Sequence, residues 1–317
     1  MRTPLSVHPR FFKAHGHGND YLVFEEGAGP SLTTELIRRI CDRWRGPGAD
    51  GLVVVESTAR GAETRLRMFN PDGGEFERSG NGLRIAGVYM KHLGRAGDGP
   101  FFVTVGGDRI RLEVAGPDAQ GVYDARADMG RITFPTGPPF VARARVNERG
   151  RVALKLMRPS GGRGRGGGGA AADVVEVVPV AVGNPHAVAF RRSWARSEVE
   201  HYGPMIGTSE AFPRGANVQF ADAPAGREIA IRIWERGVGP TSASGTSACA
   251  AASAAVRLGL VPAGPVTVRM EGGAMEVDVD PDWTVRLRGP VEEVCFGEFA
   301  PGFLKGRGTP GQRADST

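Results

Sequence analysis

Two serines occupy matching places in this 317-residue chain. Ser244 lies in Trp234-Glu-Arg-Gly-Val-Gly-Pro-Thr-Ser-Ala-Ser-Gly-Thr-Ser-Ala-Cys249, where a glycine loop gives way to an Ala-rich helix predicted to reach Leu258. Ser79 opens Ser79-Gly-Asn-Gly-Leu-Arg84 and a helix predicted to reach Leu93. The first backbone N–H groups of a helix lack intrahelical acceptors, so each mouth can hold an anion such as a carboxylate. A serine there is either a helix cap or a reactive hydroxyl. Glu235 and Arg236 add charge just upstream of the second mouth.

The offset between the serines, 244 − 79, is 165. The same offset relates Leu93-Gly94 to Leu258-Gly259, Phe69-Asn70 to Trp234-Glu235, and Gly18-Asn19 to Gly183-Asn184, with no gap required. That regularity argues for an internal duplication. One small acid-base side chain at each of two helix mouths puts a group on either face of a ligand held between the halves. The arrangement suits inversion at a carbon stereocentre, in which one group removes a proton and the opposite group returns one. Racemisation or epimerisation is the reaction class expected.

Seven motifs, in order, carry a resemblance: His15-Gly-His-Gly-Asn19-Asp, Cys41-Asp-Arg-Trp-Arg-Gly-Pro-Gly-Ala-Asp50-Gly, Phe69-Asn-Pro-Asp-Gly-Gly-Glu75, Ser79-Gly-Asn-Gly-Leu-Arg84, Gly183-Asn-Pro-His186, Gly215-Ala-Asn217-Val and Glu235-Arg-Gly-Val-Gly239. From about Lys13 to Glu298 the chain resembles diaminopimelate epimerase. The resemblance implies an α/β fold with two pseudo-symmetric domains, each a mixed sheet wrapped around a central helix, the final strand returning to the first domain. It implies epimerisation of LL- and meso-diaminopimelate in lysine and peptidoglycan biosynthesis, with no cofactor and no metal. Carried over by motif, Ser79, Ser244, His186 and Glu235 are the catalytic set. Asn19, Asn70, Gly80, Asn81, Asn184, Asn217, Glu235, Arg236, Gly245 and Thr246 are the substrate-binding set. Amides can donate to carboxylates and accept from ammonium groups, and an arginine can grip a carboxylate with two N–H groups.

The sequence departs from the family at one pair of positions, because a cysteine stands in each helix-mouth motif of the family and both are serine here. A hydroxyl is a far weaker acid than a thiol, whose ordinary pKa is about 8.5. Ser79 and Ser244 therefore need an activating partner, as in Ser–His pairs, and His186 and Glu235 are the candidates. The plainer readings are that His186 merely follows Pro185 in a turn and that Glu235 merely pairs with Arg236. Pro240 and Ser247 replace the family's usual Glu and Gly beside Ser244. The cysteines do not restore thiol chemistry, since Cys41 and Cys249 read as core packing. Lys13, Lys91, Lys155 and Lys305 lie outside the paired motifs, so nothing marks a Schiff-base lysine. Two alternatives follow: a thiol-independent isomerase of the same fold, of the phenazine-pathway type, in which Glu235 moves the proton, and a non-catalytic amino-acid-binding homologue.

Composition bounds these readings. The apolar share of 40% suits a globular chain with room for two cores. The net charge of +5 comes from arginines spread along the chain without a long block, which favours a small anionic substrate or merely a basic surface over nucleic acid. Three cysteines cannot all pair and show no metal spacing, and no stretch has the length of a signal peptide core or membrane span. A cytoplasmic protein is expected, with a homodimer left open. The expected organisation is an N-terminal half over 1–128 joined by a returning segment at 290–303, a C-terminal half over 129–289 with a flexible Gly/Arg insert at 160–172, and a disordered tail at 304–317. A helix capped by Ser31 or Thr33 is predicted to run to about Arg43, with Leu36, Ile37 and Ile40 as its buried stripe. Strands are predicted at Phe11 to Phe24 around a Gly16 to Asp20 turn, Gly51 to Glu56, Thr64 to Phe69, Phe101 to Val105, Arg109 to Val114, Asp173 to Val182, Ile229 to Trp234, Val266 to Met270 and Val285 to Leu287.

Overall fold

Alternation of buried and open positions along the strands, and two helices buried on all sides, set the architecture. A computed structural model describes residues 10–26, 32–56, 63–76, 78–142, 145–158 and 172–304. The first half comprises β1 (Arg10–Gly16), β2 (Asn19–Glu25), α1 (Thr34–Cys41), β3 (Gly51–Val55), β4 (Thr64–Phe69), β5 (Glu75–Phe76), α2 (Gly80–His92), β6 (Phe101–Val105), β7 (Asp108–Ala115) and β8 (Val122–Arg131). The second comprises β9 (Val152–Met157), β10 (Ala172–Ala181), β11 (Pro185–Arg191), α3 (Arg196–Gly207), β12 (Asn217–Asp222), β13 (Glu228–Glu235), β14 (Gly239–Thr241), α4 (Gly245–Arg257), β15 (Gly264–Met270), β16 (Gly273–Val279), β17 (Thr284–Glu298) and the turn α5 (Pro301–Leu304).

The halves repeat one another strand by strand. In the first, β1 pairs β2 antiparallel, β2 pairs β3 parallel, β3 pairs β4 antiparallel, β4 pairs β6 parallel, and β6, β7 and β8 follow antiparallel. In the second, β10, β11, β12, β13, β15, β16 and β17 pair in the same alternation. β17 pairs with β8 from Thr284 to Glu292 and with β1 from Glu292 to Glu298, which closes the first ring. The second ring closes where Thr133, just past β8, bridges Ala181 of β10. β8 and β17 thus belong to both rings.

Each ring encloses a helix. α2 is buried from Gly80 through Met90, and α4 at every position from Gly245 to Ala255 except Thr246. Their apolar residues contribute to one continuous cluster, with the polar Asn81 and Arg84 of α2 buried beside it. α1 is amphipathic and lies outside, its Leu36, Ile37 and Ile40 packing with Phe11, Leu22, Leu52 and Val54. Its cap is Thr33, whose hydroxyl accepts from Leu36 N at 3.1 Å; Ser31 lies outside the described residues. The insert positions 160–171 and residues 305–317 also lie outside them, while Leu304 packs beside the α1 cluster. Among the described residues no helix is long and apolar enough to cross a membrane. Cys41 and Cys249 are buried and Cys295 is exposed.

Candidate active site

Both serines cap their helices. Ser79 (φ −131, ψ 125) and Ser244 (φ −152, ψ 123) are extended, as N-caps are. Ser79 Oγ accepts from Gly82 N at 3.0 Å and Ser244 Oγ from Ser247 N at 3.4 Å. Capping uses a lone pair of each oxygen and leaves each hydroxyl proton to donate elsewhere, so capping and chemistry are compatible here. The helices meet at these mouths: a Cβ added to Gly80 would lie 3.5 Å from Gly245 Cα, and one added to Gly245 would lie 3.3 Å from Gly80 Cα. Glycine at both positions leaves the two backbones in contact with no side chain between them. Thr246 Oγ1 lies 3.4 Å from Ser244 Oγ.

Each hydroxyl faces a second titratable group. Ser244 interacts with the carboxyl of Glu235, at the end of β13. Burial pushes that carboxyl above the usual range, the Ser244 contact opposes the rise, and the charge of Asp50 adds to it. Ser79 interacts with the phenol of Tyr21 on β2, whose pKa burial raises so that it stays protonated through the working pH range. Tyr21 pairs with Gly51 across β2 and β3, and a Cβ on Gly51 would lie 2.2 Å from the Tyr21 ring. The missing side chain lets the ring lie flat across β3 toward the mouth of α2.

His186 lies deeper. Gln219 Nε2 donates to His186 Nδ1 at 3.0 Å and to Ser247 Oγ at 3.0 Å. With Nδ1 accepting, the ring proton sits on Nε2, which donates to Asn184 Oδ1 at 2.8 Å. Burial, reinforced by the charge of Arg236 and opposed by the Gln219 contact, pushes the imidazole pKa down to about 3. The ring is neutral, and both nitrogens are engaged away from the serines. His186 thus orients Asn184, leaving that amide's N–H groups for a ligand.

The asparagines divide into three groups. Asn19, placed at the head of β2 by a turn in which His17 and Gly18 both have positive φ, donates to Asp50 Oδ2 at 3.0 Å and accepts from Asn81 Nδ2 at 2.8 Å. Asn81 Oδ1 accepts in turn from Arg84. Asn217 Oδ1 accepts from Arg236 N at 2.9 Å, so that its side-chain N–H groups point elsewhere. Asn70, one residue past β4, is exposed, and only its backbone is tied, to Gly74 O at 2.9 Å. The Arg236 guanidinium donates to Arg214 O at the rim.

A separate cleft lies away from the helix mouths. About 490 Å³ in volume, it is bounded by Asp118, Asp124, Glu276, Arg288 and Pro290 and contains neither serine. Its Arg288 is neutralised by Asp124 at 2.7 Å and Glu276 at 3.5 Å. The helix mouths instead combine free N–H groups with perturbed acids, which makes them the candidate reactive centre. Tyr21, Asp50, Gln219 and Arg84 are tied into the same cluster and were not singled out from the sequence. The repeat offset of 165 would have flagged Tyr21 as the counterpart of His186 and Arg84 as that of Cys249.

Comparison with known proteins gives the family and the fold. A family model described as Diaminopimelate epimerase matches residues 11–135 and 178–294. The chain is 38% identical over 294 residues to the diaminopimelate epimerase of Desulforudis audaxviator, covering 91% of this chain and 98% of that protein. It is 35% identical over 295 residues to that of Pelotomaculum thermopropionicum, again covering 91% and 98%. Among solved structures, a hydroxyproline epimerase from Agrobacterium vitis superposes with a TM-score of 0.63 at 13% identity, covering 94% of each chain. A phenazine biosynthesis protein of the PhzF family from Bacillus anthracis superposes with a TM-score of 0.60 at 12% identity, covering 92% and 99%. These two share the fold.

Proposed function

Since the chain belongs to the diaminopimelate epimerase family, we propose that it inverts an α-carbon of diaminopimelate, interconverting the LL and meso forms in lysine and peptidoglycan biosynthesis, without an organic cofactor. The observation that carries the reading is the meeting of two capped helix mouths at Gly80 and Gly245, each with a hydroxyl facing a titratable partner. In this reading the free N–H groups of both first turns hold the carboxylate next to the reacting carbon. Glu235 draws the proton of Ser244 as Ser244 takes the α-proton, and Ser79, backed by Tyr21, delivers a proton to the opposite face. Asn184 and Asn217, with Asn70 and Arg236 at the rim, bind the remote amino-acid group. Serine in place of cysteine makes this a slow catalyst, because each pKa unit of lost acidity costs about tenfold in reactive population.

The experiment is α-proton exchange with LL-diaminopimelate in D2O, followed by NMR. Slow exchange is expected, rising at least about 100-fold when Ser79→Cys and Ser244→Cys are combined. No exchange in either protein refutes the assignment. The buried Glu235 carboxyl favours one second reading, a thiol-independent proton shift made by that carboxylate itself. Activity that survives Ser79→Ala with Ser244→Ala but not Glu235→Gln would select it.

A further inference from the structure

Arg84, in the second turn of α2, is fully buried. Its Nη1 donates to Gly80 O at 3.2 Å, its Nη2 donates to Asn81 Oδ1, and its Nε has no partner. No described carboxylate makes an ion pair with it; Asp124 acts on it only through space. Cys249, which faces it from α4, is no counter-ion, because burial pushes that thiol up to about 12. Glycines make the room for the guanidinium. A Cβ on Gly16 would lie 2.9 Å from Nη2, one on Gly289 3.5 Å from Cζ, and one on Gly80 3.6 Å from Nη1. That last position is also 3.5 Å from Gly245 Cα, so the cation sits directly behind the junction of the two mouths.

Burying a cation without a counter-ion is costly, and the usual escape is loss of the charge. Arginine does not take it: burial lowers its pKa only to about 10, which leaves it charged at neutral pH. A fold that keeps such a charge gains from it where negative charge arrives. We propose that Arg84 is a fixed cation that adds its field to the two helix N-termini, favouring negative charge at positions 79 and 244 and on a substrate held between them. It is a positioning residue that acts through the first turn of α2 and touches no substrate. The inference rests on the helix-mouth reading of the site but not on the identity of the substrate.

The test places a titratable reporter at the mouth. In the full chain Ser79→Cys, the thiol pKa is read from the pH dependence of iodoacetamide alkylation at that residue by mass spectrometry, which separates it from the three native cysteines. With Arg84 present, the thiol is expected to titrate at least about one pH unit below the free value of about 8.5. Adding Arg84→Met or Arg84→Gln is expected to raise it by about one pH unit or more, a roughly tenfold loss of thiolate at a given lower pH. Adding Arg84→Lys, which keeps the charge, leaves it within a few tenths of a unit. Circular dichroism establishes which variants fold. A thiol pKa at or above 8.5 with Arg84 present overturns the proposal, and so does an unchanged pKa in a folded variant lacking the charge. If neither uncharged variant folds, the first measurement alone decides. No substrate takes part, so inactivity toward diaminopimelate leaves this result untouched, and a negative result here leaves the epimerase reading standing.

Discussion

Gly80 and Gly245 face one another where the two buried helices begin, each so placed that a methyl group on one would be in contact with the backbone of the other. The same methyl group would lie 2.4 Å from Leu287 Cδ2 at Gly80 and 2.6 Å from it at Gly245. Gly80→Ala and Gly245→Ala should each destabilise the protein by about 1–3 kcal/mol through overpacking. Urea unfolding measures this, and adding Leu287→Ala to either variant should recover part of the deficit compared with Leu287→Ala alone. Additive losses would show that the contact is not tight.

The two caps differ in length, and their removal should differ in cost. Ser79→Ala deletes a 3.0 Å bond and Ser244→Ala a 3.4 Å one. A lost serine cap costs about 1 kcal/mol, so thermal unfolding should show a loss of that order for Ser79→Ala and a smaller one for Ser244→Ala. The reverse order would mean that the Glu235 contact, and not the cap, dominates at Ser244.

Glu235 must be ionised to take the proton of Ser244. Its pKa is raised by burial, so the acid limb of the exchange rate should lie above the ordinary glutamate value of about 4.3 and the rate should fall as pH drops through it. Glu235→Gln should abolish that limb and cut exchange at least about 100-fold. Stability should move the other way. A carboxyl with a raised folded pKa contributes stability below its unfolded pKa and loses it as pH rises through the folded one. Glu235→Gln should therefore unfold at a higher temperature than the parent at pH 8.

His186 carries an opposite pH signature. Unfolded, it takes up a proton near 6.5, and folded only near about 3, so between those values the unfolded chain binds more protons. Stability should fall as pH is lowered below about 6.5, by up to about 1.4 kcal/mol per pH unit from this group. Denaturation at pH 4, 5, 6 and 7 should show a shallower decline for His186→Gln than for the parent. Parallel curves would place the titration elsewhere.

The repeat was legible because it is written in glycine, asparagine and serine at one offset, residue types that mark turns and caps wherever they fall. The two helix mouths and the strand ahead of each followed from it, while the burial of Cys41 and Cys249 followed from the habit of free cysteines to pack in cores. β8, β9, β11, β12, β16 and α3 were not legible. β12 is buried in five of its six positions and so shows no alternation, while Pro204 and Gly207 disguise α3. Within the site, sequence placed Asn19 and Asn81 among the ligand-facing amides, and the structure shows them tied to each other and to Asp50 and Arg84. His186 was read as a partner for the serines, yet Gln219 and Asn184 occupy both of its nitrogens. Arg84 escaped notice because a charged residue in a helix ordinarily reads as solvent-facing, and only the surrounding glycines, distant in sequence, reveal its burial.

β17 has a consequence for how such a chain can be divided. It is a single run of 15 residues that supplies hydrogen bonds to β16, β8 and β1 in turn. Severing the chain at the midpoint of its duplication would leave the front piece with bare amides and carbonyls along the flanks of β1 and β8, free to zip onto any strand that came near. Neither copy is a self-sufficient unit, and the seam that welds them also fixes how far apart the two serines stand.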